Sequence, residues 1–233
     1  MRSFGRSLTA GLSIAVLAVA QAGAQTTIDE GTFRLMVDTR EVGSERFVIQ
    51  LRGSGPTAAV TATGSVTLDD DAGDDLTTSV SFAGLDLQPA QYTVSVGGEG
   101  GDRLSGRVTG RRVSARIVSS TGENVREYLV SEGAIIIDHA VAHQHYFLAR
   151  RVRAGEMRIP VIVPRDAQQA WVDVEVLPPE TLNVAGTPLE CRKLRLTGGG
   201  GDIRIVWTDD ADRIIRFEIP DRSFVAERTA VPR

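Results

Sequence analysis

All three histidines of the chain fall within seven residues, in the run Asp138-His139-Ala140-Val141-Ala142-His143-Gln144-His145. On a helix, His139 and His143 lie one turn apart, close enough for two imidazoles to share one metal ion. His145 falls roughly 160° from His143 at 100° per residue, so a third ligand would have to come from a strand. The residue after His139 is Ala140, which removes the His-Glu-x-x-His pattern of zinc hydrolases. Tyr146 and Arg150 share the face of His139 and His143, and that combination suits an anionic headgroup. His139, His143, Tyr146 and Arg150 are therefore the expected ligand-binding face, with no metal and no catalytic role assigned. A polar helix face meeting solvent or strand carbonyls accounts for the same pattern.

Other chemistry-bearing runs are weaker. Asp69, Asp70, Asp71, Asp74 and Asp75 crowd five carboxylates into seven positions around Gly73. They lack the glutamate that closes an EF-hand loop and read as a solvated turn. The glycines at Gly97-Gly98-Glu99-Gly100-Gly101 and at 198–201 lead into strands, not helices, so they cannot converge N–H groups on a phosphate. There is no Gly-x-Ser-x-Gly elbow. Cys191, the only cysteine, sits in a strand-like run and reads as a small half-buried residue. Neither a catalytic residue nor a cofactor is expected.

The elements that must position these residues follow from composition and periodicity. The chain has 233 residues, 42% hydrophobic, with 24 glycines and only three methionines, a balance that favours strands and turns. A formal charge of −4 argues against nucleic acid as a partner. Arg2 and Arg6, the uncharged stretch Leu8–Ala20 and the small residues Ala22-Gly23-Ala24 have the layout of a secretory signal peptide cut near Ala24. The expected organisation is a signal peptide over 1–24 and a single β-rich domain over 25–233, exported to the periplasm. No later apolar run reaches the ~18 residues that would suggest a transmembrane helix.

From Thr32 the pattern has period two: Phe33, Leu35 and Val37, then, after a turn at Glu41-Val42-Gly43-Ser44, Phe47, Ile49 and Leu51. Similar stretches follow at 57–68, 77–84, 90–97, 104–119, 124–130, 157–163, 170–177, 181–185, 188–196, 202–208, 213–219 and 223–229. One segment, 138–151, is free of Gly and Pro and opens on Asp138, a good N-cap, so a helix is expected there. About a dozen strands in one sheet must curl. The expected fold is mainly β: a large, strongly curved antiparallel sheet, a half-barrel or open barrel, wrapped around one α-helix.

Three stretches carry a resemblance: Gly31–Asp38 with Val42-Gly43; Ile135-Ile136-Ile137-Asp138 with Leu148-Ala149-Arg150-Arg151; and Val206-Trp207-Thr208-Asp209-Asp210 with Arg216-Phe217-Glu218-Ile219-Pro220 and Val225-Ala226-Glu227-Arg228. In these the chain resembles uncharacterised bacterial periplasmic proteins of the lipoprotein-carrier half-barrel superfamily. The resemblance implies a curved sheet with a concave apolar face, of a shape whose relatives carry or sense acyl chains. It transfers no catalytic residue. The expected function is a non-catalytic periplasmic protein binding a lipid, acyl chain or other apolar ligand in the concave face. Two alternatives stand beside it: an envelope interaction module whose core is filled and whose partner is a protein, and a metal-dependent hydrolase using the His-bearing helix.

Overall fold

The computed structural model describes residues 25–69, 71–84, 86–97, 101–138, 141–199 and 202–233. The expected signal segment 1–24, with Asp70, Gly98, Glu99, Gly100, His139 and the glycines at 200–201, lies outside the described residues. Strands in chain order are β1 (Gln25–Val37), β2 (Arg40–Arg52), β3 (Ala59–Leu68), β4 (Leu76–Ala83), β5 (Gln88–Val96), β6 (Arg103–Thr109), β7 (Arg112–Ser119), β8 (Gly122–Leu129) and β9 (Ile135–Ile136). After the helix α1 (His145–Arg153) come β10 (Arg158–Val163), β11 (Gln168–Val184), β12 (Thr187–Gly198), β13 (Arg204–Thr208), β14 (Ile214–Ile219) and β15 (Phe224–Arg228).

Among the described residues these strands form one sheet, ordered β8-β7-β6-β5-β4-β3-β2-β1-β15-β14-β13-β12-β11-β10-β9. Neighbours pair antiparallel except β9 and β10, which run parallel. The first strand thus pairs with the last, and residues 130–134 carry the chain from one edge of the sheet to the other. So short a connection brings the two edges together. Ser131 marks the join: its N–H donates to Gln169 Oε1 of β11, and Gln169 Nε2 donates to Ser131 Oγ at 3.1 Å. The sheet is a curled, barrel-like wall whose edge strands do not pair with each other.

Alternation decides which side of the wall each residue takes. Phe33, Leu35, Ile49, Val80, Phe82 and Val94 turn inward and are buried. The outer side carries charge and hydroxyls, with Arg112 on Glu127 at 2.8 Å and Arg34 on Glu227 at 3.1 Å. That is the reverse of a membrane pore, which is apolar outside. No described helix is long and apolar enough to cross a membrane.

The interior is occupied by the chain itself. Residues 134–138 and 141–149 are all buried. Phe147 packs on Phe82 at 4.1 Å between ring centroids, and His145 on Phe217 at 4.3 Å. A second, smaller core lies on the outer face. There Val184, Cys191, Ile205, Trp207 and Ile215 are buried where the tip of the β11–β12 hairpin folds over β13 and β14. Burial pushes the Cys191 thiol up to about 11.

Several boundaries differ from the expected ones, each for a local reason. The first turn falls at Asp38-Thr39, with Asp38 left-handed at φ 55. The later Gly43, expected in the turn, instead serves a bulge where Leu35 faces Gly43 and Met36 faces Glu41. A Cβ on Gly43 would stand 2.1 Å from the Thr67 carbonyl oxygen. Stretch 104–119 is two strands, folded at Gly110 (φ 57). Stretches 170–177 and 181–185 are one strand whose register shifts between Leu177 and Glu180, where Pro178 and Pro179 have no N–H to give the ladder. The helix also starts late. A 3-10 turn spans Ala142–Gln144 and α1 begins at His145, not at 138.

Candidate functional site

Glu45 occupies the inward phase of β2 and is fully buried. Its carboxylate accepts the backbone N–H of Ala142 at 2.8 Å and of His143 at 2.9 Å. It also accepts from His143 Nδ1 at 2.7 Å, and since a carboxylate only accepts, Nδ1 carries the proton. A negative charge here sits where the first N–H groups of the helical segment converge. The His143 ring stacks on Phe47 at 5.3 Å and lies under Gly64 of β3. A Cβ on Gly64 would meet His143 Cε1 at 2.4 Å, so only glycine leaves room for the ring.

A second polar group holds the preceding turn. Asp138 accepts from Tyr92 Oη at 2.8 Å and from Arg165 through both carboxylate oxygens, at 2.7 and 2.5 Å. Its N–H donates to Gln144 Oε1 at 2.7 Å. Burial and the Asp138 charge push the Tyr92 phenol well above its usual range. A third group fixes the helix C-terminus. Asp212, at φ 66 in the β13–β14 turn, accepts from Arg153 and Arg192, each at 2.7 Å, while Arg192 also donates to the Ala149 carbonyl.

These anchors separate the residues expected to share a face. His143 turns to β2 and β3, whereas Arg150 stands 3.8 Å from Asp212 beyond the other end of the helix. Tyr146 is buried beside Phe147, its phenol raised chiefly by that burial. His145 turns to β14 and lies 3.1 Å from the Val141 carbonyl. His139 lies outside the described residues. A carboxylate-oriented imidazole is the base half of a hydrolytic relay, yet both Glu45 and His143 are sealed from solvent. Among the described residues no three His, Cys, Asp or Glu side chains group as a metal site. In the Asp69–Asp75 turn, Asp71 pairs with Arg40 and Asp75 accepts the Leu68 N–H.

The part of the inner face that the helical segment leaves uncovered is apolar. It lies between the inner sides of β5–β8, given by Tyr92, Gly106, Val108, Val113, Ala115 and Tyr128, and the opposed Ile136, Ile162 and Pro164. The slot is narrow, with a cavity volume of only about 10 Å³. Its centre is the cross-strand pair Gly106 and Ala115, and a Cβ added to Gly106 meets nothing within 4 Å. The Tyr128 hydroxyl is buried there with no hydrogen-bond partner among the described residues, and burial raises it to about 12. Sequence reasoning missed Glu45 and the slot. Both carried a signal: Glu45 lies in phase with Phe47 and Ile49, and Gly106 and Ala115 are small residues on the inward phase.

No protein-family model matches the chain, and no curated protein matches it. Among solved structures the chain is similar to a β-barrel-like protein of domain of unknown function DUF1849 from Brucella abortus, at TM-score 0.57 and 11% identity, over 90% of this chain and 98% of that one. That likeness concerns the fold.

Proposed function

We propose that the chain is a non-catalytic exported protein that binds an apolar ligand in the slot between β5–β8 and β9–β10. The observation that carries the reading is the slot's lining: apolar side chains and two small residues face each other with no charged group between them. Water is a poor occupant of such a space, and an acyl chain or similar apolar group a good one. The middle of the concave face is not the seat, because Phe147, Leu148 and Ala149 fill it. The slot is narrow as it stands, and binding requires the β6–β8 flank to move outward. That flank pairs as strand with the sheet on the β5 side only, its other end being held through Ser131 and Gln169. The signal-like N-terminus and the resemblance to lipoprotein-carrier half-barrels support a periplasmic location.

Native mass spectrometry of protein purified from an exporting host tests this. The expected result is a co-purifying apolar molecule at one per chain. Bare protein that also takes up no fluorescent fatty acid would overturn the reading. That outcome would favour the second reading, an envelope interaction module, for which the filled interior speaks.

A further inference from the structure

We infer that the slot's ligand is a single-chain amphiphile with an anionic headgroup, and that Arg126 and Tyr128 at the β8 edge receive the head. The inference rests on the apolar-ligand reading and adds the head chemistry to it. β8 is an edge strand, so a head placed there reaches solvent while its tail points inward. Register fixes which side chains face the slot. Val113 lies opposite Tyr128 and Ala115 opposite Arg126; Val113, Ala115 and Tyr128 line the slot, and the exposed Arg126 takes the same side of the strand by alternation. On the outer side the β7 arginines are matched, Arg112 by Glu127 and Arg116 by Glu123. Arg126, on the inner side, has no carboxylate partner among the described residues. Two residues along the strand, the Tyr128 hydroxyl is a buried donor without an acceptor. An unmatched, exposed guanidinium at the strand edge and an unmatched O–H buried in the apolar slot beside it are complementary to a carboxylate with a hydrocarbon tail. The tail would lie over Gly106 and Ala115, where the missing side chains leave space, against Ile136 and Ile162.

The test compares dodecanoate with dodecanol, equal tails with charged and neutral heads, by displacement of a fluorescent fatty acid. Wild type is expected to bind dodecanoate about tenfold more tightly than the alcohol. Arg126→Gln should abolish that preference and leave dodecanol affinity unchanged, and Tyr128→Phe should weaken dodecanoate alone. Gly106→Val, which fills the slot from a position with free space, should lose both ligands while keeping the wild-type melting temperature or exceeding it. Equal affinity for the two ligands in wild type, or a preference surviving in Arg126→Gln, overturns the head assignment while leaving the tail site standing. Binding of neither ligand overturns the apolar-ligand reading itself.

Discussion

Replacing Glu45 by alanine removes the acceptor of three buried donors at once: the N–H groups of Ala142 and His143 and the His143 Nδ1–H. Each buried donor left unpaired costs about 1–3 kcal/mol, so the three together cost at least about 3 kcal/mol. The native state of a domain is worth only about 5–15 kcal/mol, so this single change removes a large share of it. At this chain length 1 kcal/mol moves the melting temperature by about 2–4 °C, giving a fall of roughly 6–12 °C. Urea unfolding followed by circular dichroism gives the free energy directly. Glu45→Gln keeps one acceptor oxygen but turns an NH2 toward the donors, and should fall between wild type and Glu45→Ala. The double variant Glu45→Ala/His143→Ala should cost less than the sum of the singles, by about 0.5–3 kcal/mol, because the two share one hydrogen bond. A Glu45→Ala protein within 1 kcal/mol of wild type, or strict additivity in the cycle, would refute the view that Glu45 holds the internal segment.

Two glycines should respond in opposite ways. Gly64→Ala drives a Cβ into the His143 ring and should cost about 1–3 kcal/mol, whereas Gly106→Ala enters free space and should be neutral or stabilising by up to about 1 kcal/mol; thermal unfolding separates them, and equal effects would contradict the packing described. Arg228 is buried, holds Asp29 through both carboxylate oxygens and spans β1 and β15, so Arg228→Ala should cost about 3–5 kcal/mol by leaving that carboxylate unpaired. All three tyrosines have phenols raised by burial, Tyr128 to about 12. Once unfolded they ionise near 10, so above that pH the unfolded chain sheds protons that the native chain keeps, and stability falls as pH rises. Absorbance at the tyrosinate band should stay flat in native protein past pH 10 and jump on unfolding; a tyrosine titrating at its usual value would count against this. Cys191 should resist an aromatic disulfide reagent at pH 8 until denaturant is added, since its thiol is buried and raised to about 11.

Local pattern carries most of the wall and little of what fills it. Period-two alternation marks the strands because one face of each meets the interior, and it even places Glu45 among the inward residues. It does not say what Glu45 is for, because its partners lie 97 and 98 residues away. The same distance effect misplaces the helix start. Asp138 looks like an N-cap in sequence, but its carboxylate is taken by Tyr92 and Arg165, and the capping passes to Glu45 from another strand. The turn at Gly110 is hidden because alternation continues on both sides of it. The bend in β11 is visible as Pro178-Pro179, yet it reads as an end because only pairing with β12 shows that the strand resumes. The slot is legible only once β9 and β10 are brought against β5–β8, a contact that residues 130–134 create by crossing between the edges.

The central claim is that the apolar space beneath β6–β8 is a ligand seat. A photoactivatable fatty acid, crosslinked and mapped by peptide mass spectrometry, tests it most directly. The expected labels fall on both walls of the slot, in peptides covering 103–117, 124–136 and 158–164, and vanish in Gly106→Val. Labels confined to the outer face, or a pattern unchanged in that variant, would contradict it.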